Sequence, residues 1–217
     1  MIVLGIDEAG RGPVIGPMVI AGYSIDERYI DDLKNTGVKD SKLLSRLERE
    51  KIYNQIISLP TNNYKYNIID QKIIDKYVEK GRLNYLEFEN MVNIINYIDP
   101  DKVIIDSPLV DTKKVIEYIK NNINKDINII AENKADRKYP IVSAASIIAK
   151  VNRDLEIDKI KKTLNMDFGS GYPSDPRTIQ SIRNNYDELK YYLRHSWSTV
   201  KKIKEERQRN IHDFFKK

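Results

Sequence analysis

Two apolar runs open the chain. Ile2–Ile6 ends in Asp7-Glu8, and Met18–Tyr23 follows after a connection that holds Gly10, Gly12 and Pro13. Short apolar runs bounded by such residues predict the two strands of a hairpin. From Lys42 to Leu59 the period changes, and Leu43, Leu47, Ile52, Ile56 and Leu59 predict an amphipathic helix. Tyr64–Ile69 predicts a short strand. Gln71–Glu79 and Asn84–Ile98 predict helices, the second ended by Asp99-Pro100. Lys102–Asp106 reads as a buried strand, Asp111 as the cap of a helix carrying Val115, Ile116 and Ile119, and Ile127–Ala131 as another buried strand. Pro140 opens a long helix to about Lys162, with Val142, Ala145, Ile148, Ala149 and Leu155 as apolar positions. Beyond a Gly/Pro-rich stretch, Gly169–Pro176, two further helices are predicted over Pro176–Asn185 and Trp197–Arg209.

Hairpin, strand and helices, then strand–helix–strand–helix, is the order of an α/β layer fold. Its later strands are parallel because helices connect them, and the last helices form a smaller subdomain. The length, 217 residues, suits one domain with an appendage. No apolar run approaches the ~20 residues of a bilayer span, so no membrane association is expected. The N-terminus lacks a basic stretch and turns acidic at Asp7, which reads as a folded strand and not a signal peptide.

The chain has no cysteine, which removes disulfides, thiolate zinc sites and thiol nucleophiles and fits an intracellular, cytoplasmic protein. Two histidines, His195 and His212, are too few for a multi-histidine metal site, and a histidine-based triad is barely attainable. Catalytic chemistry is left to carboxylates, Lys, Tyr or Ser. The 37 Lys/Arg and 32 Asp/Glu leave a net +5. The charge is uneven: Arg177–Lys217 holds 11 basic against 5 acidic residues. A basic end beside a near-neutral body suits a polyanion, and equally an ordinary solvated helix face.

The acids stand at informative places. Asp7 and Glu8 end the first strand, Asp106 ends Val103-Ile-Ile, and Asp136 lies between the strand at Ile127–Ala131 and the helix opened by Pro140. Taken singly, Asp106-Ser-Pro108 is also a good strand-ending turn, and Asp136 also suits a helix entrance. Asp7-Glu8 followed by Ala-Gly-Arg-Gly is a poor way to build a core, which marks that segment as functional. In α/β sheets, ligands sit beyond the strand ends. Carboxylates meeting there repel, and a hard divalent cation relieves the conflict. Mg²⁺ or Mn²⁺ fits this donor set and Zn²⁺ does not. Two such ions ~3.5–4 Å apart form a clamp for in-line phosphoryl displacement.

These residues resemble a known family. Gly5-Ile-Asp7-Glu8-Ala-Gly10-Arg11-Gly12-Pro13-Val-Ile-Gly-Pro17 is similar to the opening signature of type 2 ribonuclease H (ribonuclease HII), in its archaeal form. Asp40-Ser-Lys42, Ile105-Asp106-Ser107, Ala131-Glu-Asn-Lys-Ala-Asp136, Tyr139–Asp154 and Gly169-Ser-Gly-Tyr172-Pro resemble its later blocks, in family order. The resemblance implies a ribonuclease H-like mixed sheet flanked by helices, over residues 1–168, a helical substrate-binding subdomain over 169–207, and a tail over 208–217. It implies metal-dependent hydrolysis of RNA in RNA/DNA hybrids, and cutting 5′ of a lone ribonucleotide in duplex DNA to leave a 3′-hydroxyl and a 5′-phosphate. It aligns Asp7, Glu8, Asp106 and Asp136 with four metal-binding acids, Gly10-Arg11-Gly12 with the loop that reads the 2′-hydroxyl, and Tyr172 with the tyrosine that packs on that sugar.

The chemistry agrees. The 2′-hydroxyl is what separates RNA from DNA at a site, and glycines let a backbone come close enough to read it. Arg11 can meet a phosphate with two hydrogen bonds. Lys42, Lys134 and Lys150 are candidate phosphate contacts, Lys42 foremost because it lies in the Asp-Ser-Lys block. Ser143 and Ser146, beside Ala144 and Ala145, read as small residues that let the long helix lie close to the sheet, and Trp197 as a core residue of the subdomain. In the tail, Gln208, Ile211, Phe214 and Phe215 resemble a peptide that binds the sliding clamp, with the apolar anchors on one helical turn. A monomer is expected. Two other functions stay open: a ribonuclease H-like junction resolvase, and an inactive clamp-tethered module that binds hybrids.

Overall fold

The computed structural model describes residues 1–38 and 44–214, with side chains through residue 209. The Lys42 assignment lies outside the described residues, as does Phe215. The chain forms β1 (Ile2–Ala9), β2 (Met18–Asp26), α1 (Ile30–Asn35), α2 (Arg46–Ile57), β3 (Asn63–Ile69), α3 (Gln71–Glu79), α4 (Leu83–Ile98), β4 (Lys102–Asp106), α5 (Thr112–Lys120), β5 (Asn128–Glu132), α6 (Pro140–Leu164), α7 (Pro176–Asn184), α8 (Tyr186–Leu189) and α9 (Ser198–Phe214). No helix of the described residues is long and apolar enough to cross a membrane.

The strands make one mixed sheet in the order β3-β2-β1-β4-β5. β1 and β2 are the antiparallel hairpin, with Gly5 opposite Tyr23. β1–β4 and β4–β5 are parallel pairs, in register Ile6–Ile105 and Ile105–Ala131. The central strands β1, β2 and β4 are almost continuously buried, which explains their unbroken apolar runs. β3, at the edge, is half-buried or exposed at every position but Ile69.

By its contacts the chain divides into two compact units. The first is Met1–Ala9, Val19–Ile68 and Leu83–Arg153; the second is Gly10–Met18, Ile69–Arg82 and Asp154–Lys217. The units interleave along the chain because the Gly10–Met18 loop packs with distant C-terminal residues. Ile15 bridges Leu193, and the Val14 amide donates to the Gly171 carbonyl at 2.8 Å. The core of the first unit joins Val3, Val19, Ala21, Ile104, Val142 and Ala145. That of the second joins Ile15, Ile157, Phe168, Ile182, Leu193 and Val200.

Local signals mark the starts of α2, α3 and α7. Ser45 and Glu48 form a reciprocal capping box at α2. Asp70 accepts from the amides of Lys72 and Ile73 at α3, and Asp175 caps α7 ahead of Pro176. Three expectations need correction. Asp111 stands at the cap position of α5 but makes no side-chain capping bond; its carboxylate lies 3.7 Å from Lys114. Leu47 and Leu155 are 78% and 46% exposed, so neither belongs to a core-facing stripe. On α2 the buried positions are Ile52 and Ile56, one turn apart. The final helix also runs on to Phe214, past the expected end at Arg209.

Candidate active site

Register brings the first two acids together. Asp7 and Asp106 each follow the paired Ile6–Ile105 on adjacent parallel strands, so they leave the sheet at the same end. Asp136 arrives from a single 3₁₀ turn, Ala135–Arg137, placed after β5 by Lys134 in the left-handed conformation (φ 60°). The Ala135 amide donates to Asp106 Oδ1 at 3.0 Å, which ties that turn to the end of β4. The Ser143 hydroxyl of α6 donates to the Asp136 carbonyl. As a result, one carboxylate oxygen from each of Asp7, Asp106 and Asp136 lies within 4.8 Å of the others. Glu8 is half-buried beside them but outside that cluster, because neighbouring strand residues face opposite ways. The expected fourfold meeting is therefore threefold among the described residues, with Glu8 adjacent; its amide donates to Asp7 Oδ1 at 2.7 Å.

The electrostatics follow from crowding. Burial pushes the Asp7 carboxyl well above the ordinary range, and the Glu8 charge pushes it further; Lys150 and the Ser146 hydroxyl act the other way. Asp106 is pushed up to about 7, by burial first and then by the charge of Asp7. The Ala135 amide opposes that rise, and the Asp136 charge adds to it. Three oxygen donors in one small volume, two of them holding protons far more readily than a free carboxylate, are what a hard divalent cation relieves. With no cysteine in the chain, the donor set fits such an ion.

Sequence reading placed Ser146 and Lys150 elsewhere, one in packing and one among general phosphate contacts. Both stand on the α6 face that serves this cluster. Lys150 Nζ donates to Ser146 Oγ at 2.8 Å, and the Lys150 charge favours ionised Asp7. The signal was present in the spacing: Ser143, Ser146 and Lys150 recur at helical intervals as polar positions in the buried first half of the helix.

The raised acid carries a stability consequence. With Asp106 near 7 when folded and near 3.8 when unfolded, the folded metal-free protein binds more protons between those values. Stability contributed by the protonated group is full below about 4 and is lost as pH rises through about 7. Asp106→Asn should therefore raise the melting temperature in EDTA at pH 8. Asp106 is only half-buried, so screening leaves a fraction of the ~1.36 kcal/mol per unit, and the gain is about 3–6 °C. The difference should vanish towards pH 4. Added Mn²⁺ should stabilise wild type more than the variant. A variant that melts lower than wild type at pH 8 would contradict the electrostatic account.

The remaining candidates come together in the second unit. Gly10 takes φ 84°, which a side chain would resist, and opens the Gly10-Arg11-Gly12 loop. A Cβ on Gly12 would lie 3.8 Å from Tyr172 Cε1, so loop and tyrosine are neighbours. Tyr172 is 38% exposed, which places the ring on the surface and not in a core. Its loop is shaped by Asp175, whose carboxyl is held well below the usual range chiefly by the Ser170 amide at 2.8 Å. Thr178 Oγ1 adds a bond from the Gly171 amide at 3.0 Å. Gln208 is exposed on α9, and the backbone through Ile211 and Phe214 is helical.

A family model described as ribonuclease HII matches residues 4–200. The chain belongs to the ribonuclease HII family. That is a family of metal-dependent endoribonucleases acting on RNA/DNA hybrids. Ribonuclease HII of Pyrococcus furiosus is 44% identical, over 98% of this chain and 98% of its own. The crystal structure of ribonuclease H2 from Pyrococcus horikoshii is 45% identical and superposes with a TM-score of 0.87, covering 95% of this chain and 98% of that one. Ribonuclease HII of Archaeoglobus fulgidus, solved in complex with PCNA, is 36% identical with a TM-score of 0.83, covering 93% and 96%.

Proposed function

We propose that the chain cuts the RNA strand of RNA/DNA hybrids and cuts duplex DNA on the 5′ side of a single embedded ribonucleotide, leaving a 3′-hydroxyl and a 5′-phosphate. The observation that carries this reading is the meeting of Asp7, Asp106 and Asp136 within 4.8 Å in a chain of this family. Those three, with Glu8 beside them, would hold Mg²⁺ or Mn²⁺. Such ions, when bound, would supply Lewis-acid stabilisation of the charge that develops at the scissile phosphate. The protein contributes position and charge. Ser143 and the Ala135 amide fix the directions from which Asp136 and Asp106 present their oxygens, and the Lys150 charge offsets part of the rise that burial and Glu8 impose on the Asp7 carboxyl.

Selection of the nucleotide is assigned to Gly10, Arg11, Gly12 and Tyr172. Glycines at 10 and 12 let the backbone approach a 2′-hydroxyl, Arg11 pairs with the adjoining phosphate, and the exposed Tyr172 ring lies against the sugar. Lys42 is assigned a phosphate contact on the resemblance alone. The reading is tested by cleavage of a duplex holding one ribonucleotide, with Mg²⁺ or Mn²⁺, beside the same duplex made wholly of DNA and a branched DNA. Wild type is expected to cut only the first, 5′ of the ribonucleotide, and Asp7→Asn to cut it far more slowly. Efficient cutting of the branched DNA would support a resolvase instead.

The tail extends the proposal. The Archaeoglobus fulgidus relative was solved with PCNA, and Gln208, Ile211, Phe214 and Phe215 supply the polar and apolar groups for the same kind of docking. The protein is read as a cytoplasmic monomer tethered to a ring-shaped clamp. Deleting residues 208–217 should abolish clamp binding by calorimetry while cleavage of short duplexes stays within about twofold. A large loss of cleavage would make the tail part of the catalytic fold.

A further inference from the structure

We infer that Arg194 is a positioning residue for the Gly10-Arg11-Gly12 loop and sets the preference for a ribonucleotide over a deoxyribonucleotide. The inference rests on the reading of that loop given above. Arg194 is fully buried, at 0% exposure. Its guanidinium is spent on one short stretch of backbone: Nε donates to the Gly16 carbonyl at 3.0 Å, Nη1 to Arg11 at 2.9 Å and Nη2 to Gly10 at 2.6 Å. The Arg194 amide donates to the Val14 carbonyl at 2.9 Å. Trp197 completes the set, with Nε1 donating to the Gly12 carbonyl at 3.2 Å and its ring 5.0 Å from the guanidinium. The carbonyls of Gly10, Arg11 and Gly12 are thus aimed inward by two side chains three positions apart in sequence.

A carbonyl and the next amide share one rigid peptide plane, so fixing the carbonyls fixes the amides between them. A glycine-rich loop is otherwise free to rotate those planes. The planar fork of arginine can hold several carbonyls at fixed angles, and a lysine ammonium cannot reproduce that pattern. The brace is itself anchored. Asp75 of α3 accepts from the amides of His195 at 2.8 Å and Ser196 at 2.9 Å, and from the Ser196 hydroxyl at 2.5 Å. Both carboxylate oxygens are therefore engaged on the residues that follow Arg194. The chain of positions runs from α3, through residues 194–197, to the backbone planes of the loop.

The test uses protein carrying Asp7→Asn, in which cutting is expected to be slow beside binding, and measures dissociation constants for a duplex with one ribonucleotide and for the same duplex of DNA alone. Arg194→Lys should reduce the ratio of the two affinities roughly tenfold, chiefly by weakening the ribonucleotide duplex. Asp75→Asn, which exchanges one acceptor oxygen for a donor, should shift the ratio in the same direction to a smaller degree, and it decides the matter if Arg194→Lys does not fold. Arg11→Ala serves as the control on the loop. If Arg11→Ala lowers the ratio and both Arg194→Lys and Asp75→Asn leave it unchanged, the positioning role is overturned while the loop reading stands. If Arg11→Ala also leaves the ratio unchanged, the loop reading fails. Equal weakening of both duplexes would make Arg194 a general support of the fold and overturn the inference.

Discussion

Asp7→Asn should lower cleavage of a ribonucleotide-containing duplex by about 10²–10³-fold while the protein folds as well as before. The two halves of that expectation have one cause. Burial and the Glu8 charge already push the Asp7 carboxyl well above its ordinary range, so the fold itself favours the uncharged form. Asparagine copies that form. Its carbonyl oxygen can still accept from the Glu8 amide, as Asp7 Oδ1 does at 2.7 Å. What is lost is a negative charge needed only when a cation and a phosphate are present. An electrostatic group of that kind is worth about 3–4 kcal/mol in the transition state, and each 1.36 kcal/mol is tenfold in rate. Single-turnover cleavage measures the first half and thermal melting in EDTA the second. A variant that cuts within tenfold of wild type would remove Asp7 from the chemistry. A variant that melts well below wild type would instead make the charge structural.

Much of this site was legible along the chain because acids at the ends of apolar strands are costly to place anywhere else. The element pattern was legible for the same reason: the apolar blocks at Ile2–Ile6 and Val103–Ile105 are buried on both faces and carry no other signal. The helix expected at roughly Gln71–Glu79 is found over those residues, where the Asp70 side chain caps its start. Short helices were missed. Ile30–Asn35 and Tyr186–Leu189 are too brief to show a 3.6-residue period. Leu47 and Leu155 misled because an apolar residue at helical spacing need not face the core. Glu8 stands beside the three-acid cluster and not within it, because the motif names a position and not the direction of its side chain. The bracing of the glycine loop by Arg194 was illegible for a different reason. It joins residues 178 to 184 positions apart, and no local pattern announces a contact of that range.

Gly5→Ala should cost about 3 kcal/mol or more, lowering the melting temperature by roughly 10 °C, although it adds a single methyl group to a strand. Gly5 pairs with Tyr23 on one side and Ile104 on the other, so β1 cannot shift sideways without breaking both ladders. Above it lies the first turn of α6. A Cβ at this position would stand 2.3 Å from the Ile141 carbonyl oxygen, 2.4 Å from its carbon and 2.7 Å from the Val142 nitrogen. These are backbone atoms and have no rotamer by which to retreat. The only relief is to lift the start of α6 from the sheet. That motion would carry Ser143 away from the Asp136 carbonyl and Ser146 away from Asp7, so the acids lose their supports together. Activity should fall with stability, and added Mn²⁺ should recover part of both, since a cation binding only the folded form opposes the displacement. Lone glycines inside strands mark such close approaches. An unchanged melting temperature in Gly5→Ala would mean that α6 does not press on β1 here, and the account of how the three acids are held at the sheet end would fall with it.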